Sequence, residues 1–323
     1  MPGDRRRSYT KMKTVFLYAG QGSQKAGMGK ELYEDFATYR KVIDGLQLNT
    51  DILYYMHDAS LEELSRTEVT QPCMAAFAAG VTAVLREHGI VPDAVCGLSL
   101  GEYGALHAAG VFDAQEYVEL CEFRGRKMTE AAKGTSCAMS AILGRTAEAV
   151  KEACEAVQTA GYVTVANYNC PGQYVICGEE TAVAAAEEYL KAHGAKRCVR
   201  LNVSGPFHTK FMKAAGDALQ EYFTEMVWEE PQVPVVLNVT GAYLTEEENL
   251  KERMVQQVQN SVRFEDSLRR LLDDGATEFI EIGPGNTLSG FVKKTAKELS
   301  KEITLYNVES SESLKTLISQ FGT

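Results

Sequence analysis

The sequence predicts an α/β chain: a large body on a parallel sheet, carrying a smaller inserted β-α-β-β-α-β unit. Three observations predict it. Apolar strand-like runs and small-residue helical stretches alternate on both sides of a central block. That block, residues 136–201, has the order strand, helix, strand, strand, helix, strand. The segment AVCGLSLGEYGAL at 94–106 has the pattern of strand, sharp turn and helix, with a serine at the corner.

In chain order, Val15–Tyr18 is a buried strand running into the glycine-rich loop AGQGSQKAGMG, and a helix starts near Met28. Residues 71–88, QPCMAAFAAGVTAVLREH, form a long alanine-rich helix with Pro72 in its first turn, where a missing N–H costs nothing. Asp93–Leu98 is the second short strand, and Leu100–Ala109 is another small-residue helix. In the central block SCAMSAIL is a strand, TAEAVKEACEAVQ a helix and YVTVANYN a strand. A Pro171-Gly172 turn follows, then QYVICG as strand, TAVAAAEEYLKAHG as helix and KRCVRLNV as strand. This is the split βαβ order of a ferredoxin-like unit. The body resumes with strands near Val235–Val239 and Glu278–Ile282. The division expected is a disordered leader or cloning remnant at 1–12, a body at 13–134 and 203–323, and the small unit at 135–202.

Length and composition bound the function. A chain of 323 residues, 45% hydrophobic and 24% charged, has ample capacity for a core. No continuous apolar run approaches the roughly 20 residues of a membrane span, and the run after the basic N-terminus is too short for a secretory signal. The cytoplasm is the expected location. The eight cysteines are scattered and never form C-x-x-C, so free core thiols are expected rather than metal ligands or disulfides. A net charge of −11 argues against bulk nucleic-acid binding and leaves anionic ligands to local basic clusters.

Ser99 sits in Gly97-Leu98-Ser99-Leu100-Gly101, a G-x-S-x-G pentapeptide. Glycines allow a tight turn there, and the amides that open the next helix point to where negative charge would develop. The base must come from five histidines. His57 lies in a polar helical stretch, while His88 and His193 each precede a glycine at a helix end, where a cation is favoured. His107 is too far along the helix that follows Ser99. His208, in NVSGPFHTKFM after the Gly205-Pro206 turn, can aim its ring into a cleft between the two units. The loop GQGSQ at 20–24 lacks the endings of phosphate-binding loops and can present a backbone N–H to an oxyanion instead.

The segments YAGQGSQKAGMG, TQPCMAAF, GLSLGEYGAL, FRGRKM, GPFH, QNSVRF and EIGPGNTLSG occur in that order. Together they closely resemble the malonyl-CoA:acyl carrier protein transacylases of fatty-acid synthesis, relatives of polyketide-synthase acyltransferase domains, over about residues 13–308. The resemblance implies a hydrolase-like α/β body with a ferredoxin-like insertion. It implies Ser99 as nucleophile, His208 as base, and the amides of Gln21 and Leu100 as oxyanion hole. It further implies Arg124 as the ligand of the malonyl carboxylate and Gln257 as the residue whose carbonyl orients the histidine. Arg197 matches a basic position near the CoA phosphates. Two departures stand out: Leu98 where the family usually has His before the nucleophile, and Tyr18-Ala19 where it usually has Phe-Pro.

The implied reaction is a ping-pong transfer from malonyl-CoA to the phosphopantetheine thiol of acyl carrier protein. Phe207 beside the base would crowd an α-methyl branch. No metal or bound cofactor, nucleic acid or membrane partner is expected, and the family is mostly monomeric. Three alternatives stay open: a carrier of a polyketide-type pathway, a serine hydrolase or thioesterase, and a docking module without catalysis. Against an α/β-hydrolase stand the 115 residues after His208 and the lack of an HGGG loop. Lys196, Arg197 and Arg200 form the local basic cluster that could steer anionic partners, although strand alternation forbids all three from facing one way.

Overall fold

The computed structural model describes residues 13–201 and 205–321; the leader at 1–12 lies outside the described residues. The chain starts with β1 (Thr14–Tyr18), followed by four short helices, α1 (Lys30–Asp35), α2 (Ala37–Gly45), α3 (Ile52–His57) and α4 (Leu61–Leu64). Helix α5 (Thr67–Glu87) leads to β2 (Ala94–Gly97), α6 (Leu100–Ala108) and α7 (Ala114–Ala132). The central block contains β3 (Cys137–Leu143), α8 (Ala147–Ala156), β4 (Val163–Cys170), β5 (Gln173–Glu179), α9 (Glu180–Ala192) and β6 (Arg197–Arg200). Then come α10 (Lys213–Glu225), α11 (Leu250–Gln257), β7 (Val262–Arg263), α12 (Phe264–Asp273), β8 (Glu278–Ile282), α13 (Thr287–Glu298), β9 (Thr304–Val308) and α14 (Ser311–Phe321).

The architecture is α/β with two sheets. The body sheet is parallel, in the order β2-β1-β8-β9. Strand β1 is buried along its whole length, as a central parallel strand covered on both faces must be. Phe16 and Tyr18 enter the core cluster that contains α5 and α7, whereas Val15 and Leu17 enter the one that contains α12 and α13. Two helical layers therefore sandwich the sheet. The second sheet has the order β6-β3-β5-β4-β7, antiparallel apart from the β4–β7 pair. Through β7 it is joined to a segment that lies 83 residues or more beyond β5 in the chain, which ties the central block to the body. Its other face packs on α8 and α9 around Ile142, Val150, Ile176 and Val183.

Several expectations need correction. Helix α5 begins at Thr67, so Pro72 lies inside it and not in its first turn, and the Glu68 carbonyl lacks the N–H that residue 72 would donate. By length and composition α5 is also apolar enough to cross a membrane, but 89% of that window is buried inside the protein, where it forms the central core helix. The strand expected at Val235–Val239 is reduced to two isolated bridges, Val95 with Val235 and Val236 with Tyr243. The chain leaves the sheet at Asn238, whose N–H goes to the Glu102 carboxylate and whose carbonyl accepts from Arg263. The helix expected near Met28 starts two residues later, after Gly27 and Gly29 in left-handed conformations. Strands β7 and β9 had no counterpart in the sequence reading.

Candidate active site

Ser99 lies between β2 and α6 with φ 55° and ψ −104°, a strained conformation for a residue with a side chain. The flanking glycines permit it by close approach. A Cβ on Gly97 would run into the Gly101 carbonyl, and one on Gly101 into that of Tyr18. The strain is held by side chains from distant segments. Asn238 Oδ1 accepts from the Ser99 N–H at 2.7 Å, and its Nδ2 donates to the Gly97 carbonyl at 2.7 Å. Gln257 Nε2 donates to the Ser99 carbonyl at 2.7 Å.

His208 also has a positive φ, 58°, at the turn before α10. Its Nδ1 donates to the Gln257 carbonyl at 2.9 Å, which leaves Nε2 as the acceptor of the Ser99 hydroxyl at 2.7 Å. Burial pushes the imidazole down to about 4, and the nearby Arg124 guanidinium pushes the same way. At neutral pH the ring is therefore uncharged and able to take a proton.

Arg124, on α7, is only 1% exposed. Its Nη1 donates to Gln71 Oε1 at 2.8 Å, and its Nη2 to Gln257 Oε1 at 3.1 Å and to Ser99 Oγ at 3.3 Å. Its carbon stands 5.2 Å from the Tyr103 ring centroid. Among the described residues its buried Nε has no partner, and Arg124 forms no salt bridge. A buried cation surrounded by neutral acceptors is arranged to receive an anion beside the serine.

Gln21 and Phe207 line a cavity of about 160 Å³ with Ser99, His208, Gln71, Leu98 and Met128. From the small sheet come Met139, Asn167, Asn169, Val175 and Leu201. Leu100 opens α6 directly after Ser99. Among the described residues nothing accepts from the amides of Gln21 or Leu100. The basic cluster is divided: Arg200 pairs with Glu187 and Glu180, each at 2.8 Å. Within β6 Arg200 shares the parity of Cys198 on the α8–α9 side, so Arg197 lies on the other side, and Lys196 precedes the strand. Both Lys196 and Arg197 are exposed.

The other histidines stand apart from the cavity lining. His88 and His193 end α5 and α9, with Nδ1 on the Val84 and Tyr189 carbonyls, and buried His107 stacks on Tyr117. Gln71, Glu102 and Asn238, which connect Ser99, Arg124 and Gln257, are not among the residues that the sequence marks for the site. Gln71 and Glu102 lie inside quoted motifs; only their buried polarity could have marked them. Among the described residues no group of three or more His, Cys, Asp or Glu could hold a metal ion.

The acyl transferase domain family matches residues 15–319. The malonyl CoA-acyl carrier protein transacylase of Bacillus subtilis (strain 168) is 42% identical over 303 residues, covering 93% of this chain and 95% of the relative. The crystal structure of the transacylase of that name from Clostridium perfringens superposes with a TM-score of 0.89 at 36% identity, over 95% of this chain and 96% of the other. A malonyl-transacylase solved in complex with its type II PKS acyl-carrier protein gives a TM-score of 0.88 at 33% identity, over 95% and 99%.

Proposed function

The chain belongs to the acyl transferase domain family, and on that premise we propose that it transfers malonyl groups from malonyl-CoA to acyl carrier protein through an ester on Ser99. The product supplies the extender unit of fatty-acid synthesis. His208 Nε2 takes the Ser99 proton as Oγ attacks the thioester carbonyl. The oxyanion is held by the amides of Gln21 and Leu100, which have no competing acceptor among the described residues. Collapse expels CoA, whose sulfur takes the proton from the imidazolium. The phosphopantetheine thiol then gives its proton to His208, attacks the malonyl ester, and the proton returns to Ser99. A backbone carbonyl suffices to orient His208 because a thiolate leaves with little help.

The observation that carries this reading is Arg124: a buried cation 3.3 Å from Ser99 Oγ, with neutral partners only. A malonyl carboxylate would complete it, and an acetyl group would not. Phe207 supports a preference for an unbranched acyl group by lining the same cavity. Arg197, exposed at the start of β6, is the cation we assign to the CoA phosphates. We read residues 135–202 as a ferredoxin-like insertion in a hydrolase-like body at 13–134 and 203–323; the order β6-β3-β5-β4 supports it. The reaction belongs in the cytoplasm.

Intact-protein mass spectrometry after exposure to malonyl-CoA tests the intermediate. The wild-type chain should gain one malonyl group, Ser99→Ala none, and holo carrier protein should discharge the adduct faster than water does. An adduct on the alanine variant, or equal discharge by water, refutes the reading.

A further inference from the structure

One buried carboxylate has no part in the steps above. Glu102 lies in the first turn of α6, 1% exposed, and does not line the cavity. Its Oε1 accepts from the backbone N–H of Asn238 at 2.9 Å, and its Oε2 from Gln257 Nε2 at 3.0 Å. Asn238 holds the Ser99 N–H, while Gln257 holds the Ser99 carbonyl, His208 and Arg124. A single acid thus meets both residues that clamp the serine.

We propose that Glu102 is a positioning residue for malonyl selectivity: its acceptor-only carboxylate forces the Gln257 amide to present oxygen, not NH2, to Arg124. The proposal rests on the reading that Arg124 takes the malonyl carboxylate. The orientation of a side-chain amide is decided by its partners, here Glu102 and the Ser99 carbonyl at Nε2 and Arg124 at Oε1. An ionised carboxylate only accepts and a guanidinium only donates, so Nε2 must face Glu102 and Oε1 must face Arg124. Gln71 Oε1 does the same from the other side. Two neutral oxygens therefore orient the guanidinium without cancelling its charge.

Adding a proton or an NH2 at Glu102 turns one of its two acceptors into a donor, which then faces either the Asn238 N–H or Gln257 Nε2. A donor facing Gln257 disfavours the orientation that gives Oε1 to Arg124 and Nε2 to the Ser99 carbonyl, and so loosens the guanidinium. The groups that face Glu102 are Arg124 from α7, His208 through Gln257, Cys96 from β2 and Tyr103 from α6. Burial raises Glu102 to about 7, holds His208 near 4, and pushes Cys96 and Tyr103 far up. Glu102 is thus the member of this group that changes protonation near neutrality.

The test measures kcat/KM for Ser99 acylation by malonyl-CoA and by acetyl-CoA, on the full chain, in wild type, Glu102→Gln and Arg124→Ala, from about pH 5.5 to about pH 8.5. The CoA phosphates are common to both donors and cancel in the ratio. At the alkaline end Glu102→Gln should lower the malonyl:acetyl ratio about 10-fold or more, the loss of one hydrogen bond to a charged group, and Arg124→Ala at least as much. In the wild type the ratio should fall as pH drops through about 7, while in Glu102→Gln it stays level. Should that variant not fold, Glu102→Asp, which carries the two acceptors on a shorter arm, should lower the ratio in the same direction, and an unchanged ratio overturns the proposal. If Glu102→Gln slows both donors equally while Arg124→Ala collapses the ratio, the proposal falls and the Arg124 reading stands. If Arg124→Ala leaves the ratio unchanged, that reading falls and takes the proposal with it.

Discussion

Replacing Asn238 by alanine tests whether the strained serine is held by its surroundings or by its own turn. Asn238 is fully buried and makes two side-chain bonds of 2.7 Å, to the Ser99 N–H and the Gly97 carbonyl. Asn238→Ala leaves one buried donor and one buried acceptor without partners, at about 1–3 kcal/mol each, so a loss of about 2–6 kcal/mol is expected. The positive-φ backbone of Ser99 stores about 1–3 kcal/mol of strain, which the freed segment can release by turning the hydroxyl away from His208. Acylation per folded molecule should therefore fall by about 10–100-fold, the equivalent of about 1.4–3 kcal/mol. Urea unfolding gives the first quantity, and stopped-flow or quenched malonyl-enzyme formation gives the second. A destabilised variant that acylates at the wild-type rate would show that the glycines and Gln257 set the serine geometry without Asn238, and the reasoning would be wrong.

Two further outcomes follow from the charges. Arg197→Glu should raise KM for malonyl-CoA and for carrier protein, flatten the salt dependence and leave kcat nearly intact, while Lys196→Glu, before the strand, does much less; equal, small effects of both at low salt would mark a solvated strand end. The buried histidines His107 and His208 are both held near 4, below the roughly 6.5 of an unfolded chain, so their stabilisation is intact above about pH 6.5 and lost as pH falls towards 4. Each accounts for up to about 3 kcal/mol, so His107→Gln should visibly flatten the acid side of a stability–pH curve; an unchanged slope would refute that role.

Much of the site was legible because its chemistry is local in the chain. A strand, two glycines and a helix around Ser99 specify a turn that few other sequences permit, and Gly205-Pro206 marks the turn that carries His208. The strand and helix order of residues 136–200 followed from alternating apolar runs, since each element buries one face. Elements without such a pattern escaped. Strand β7 has two residues and pairs only because the body brings it alongside β4. Val235–Val239 has the composition of a strand, yet Asn238 is drawn out of the sheet by a carboxylate 136 positions away.

By itself the sequence determined which residue types stand at the turns and which runs must be buried, because backbone sterics and apolar burial act over a few neighbouring residues. Only the tertiary structure decided how the polar interior is wired. Gln71, Arg124, Glu102, Asn238 and Gln257 come from five separated segments, and no spacing relates them. They meet because a buried donor or acceptor must find a partner wherever the fold supplies one. The same limit explains the basic cluster: Lys196, Arg197 and Arg200 are neighbours in sequence, but two glutamates on α9 engage Arg200 and strand alternation turns Arg197 to the other side of β6.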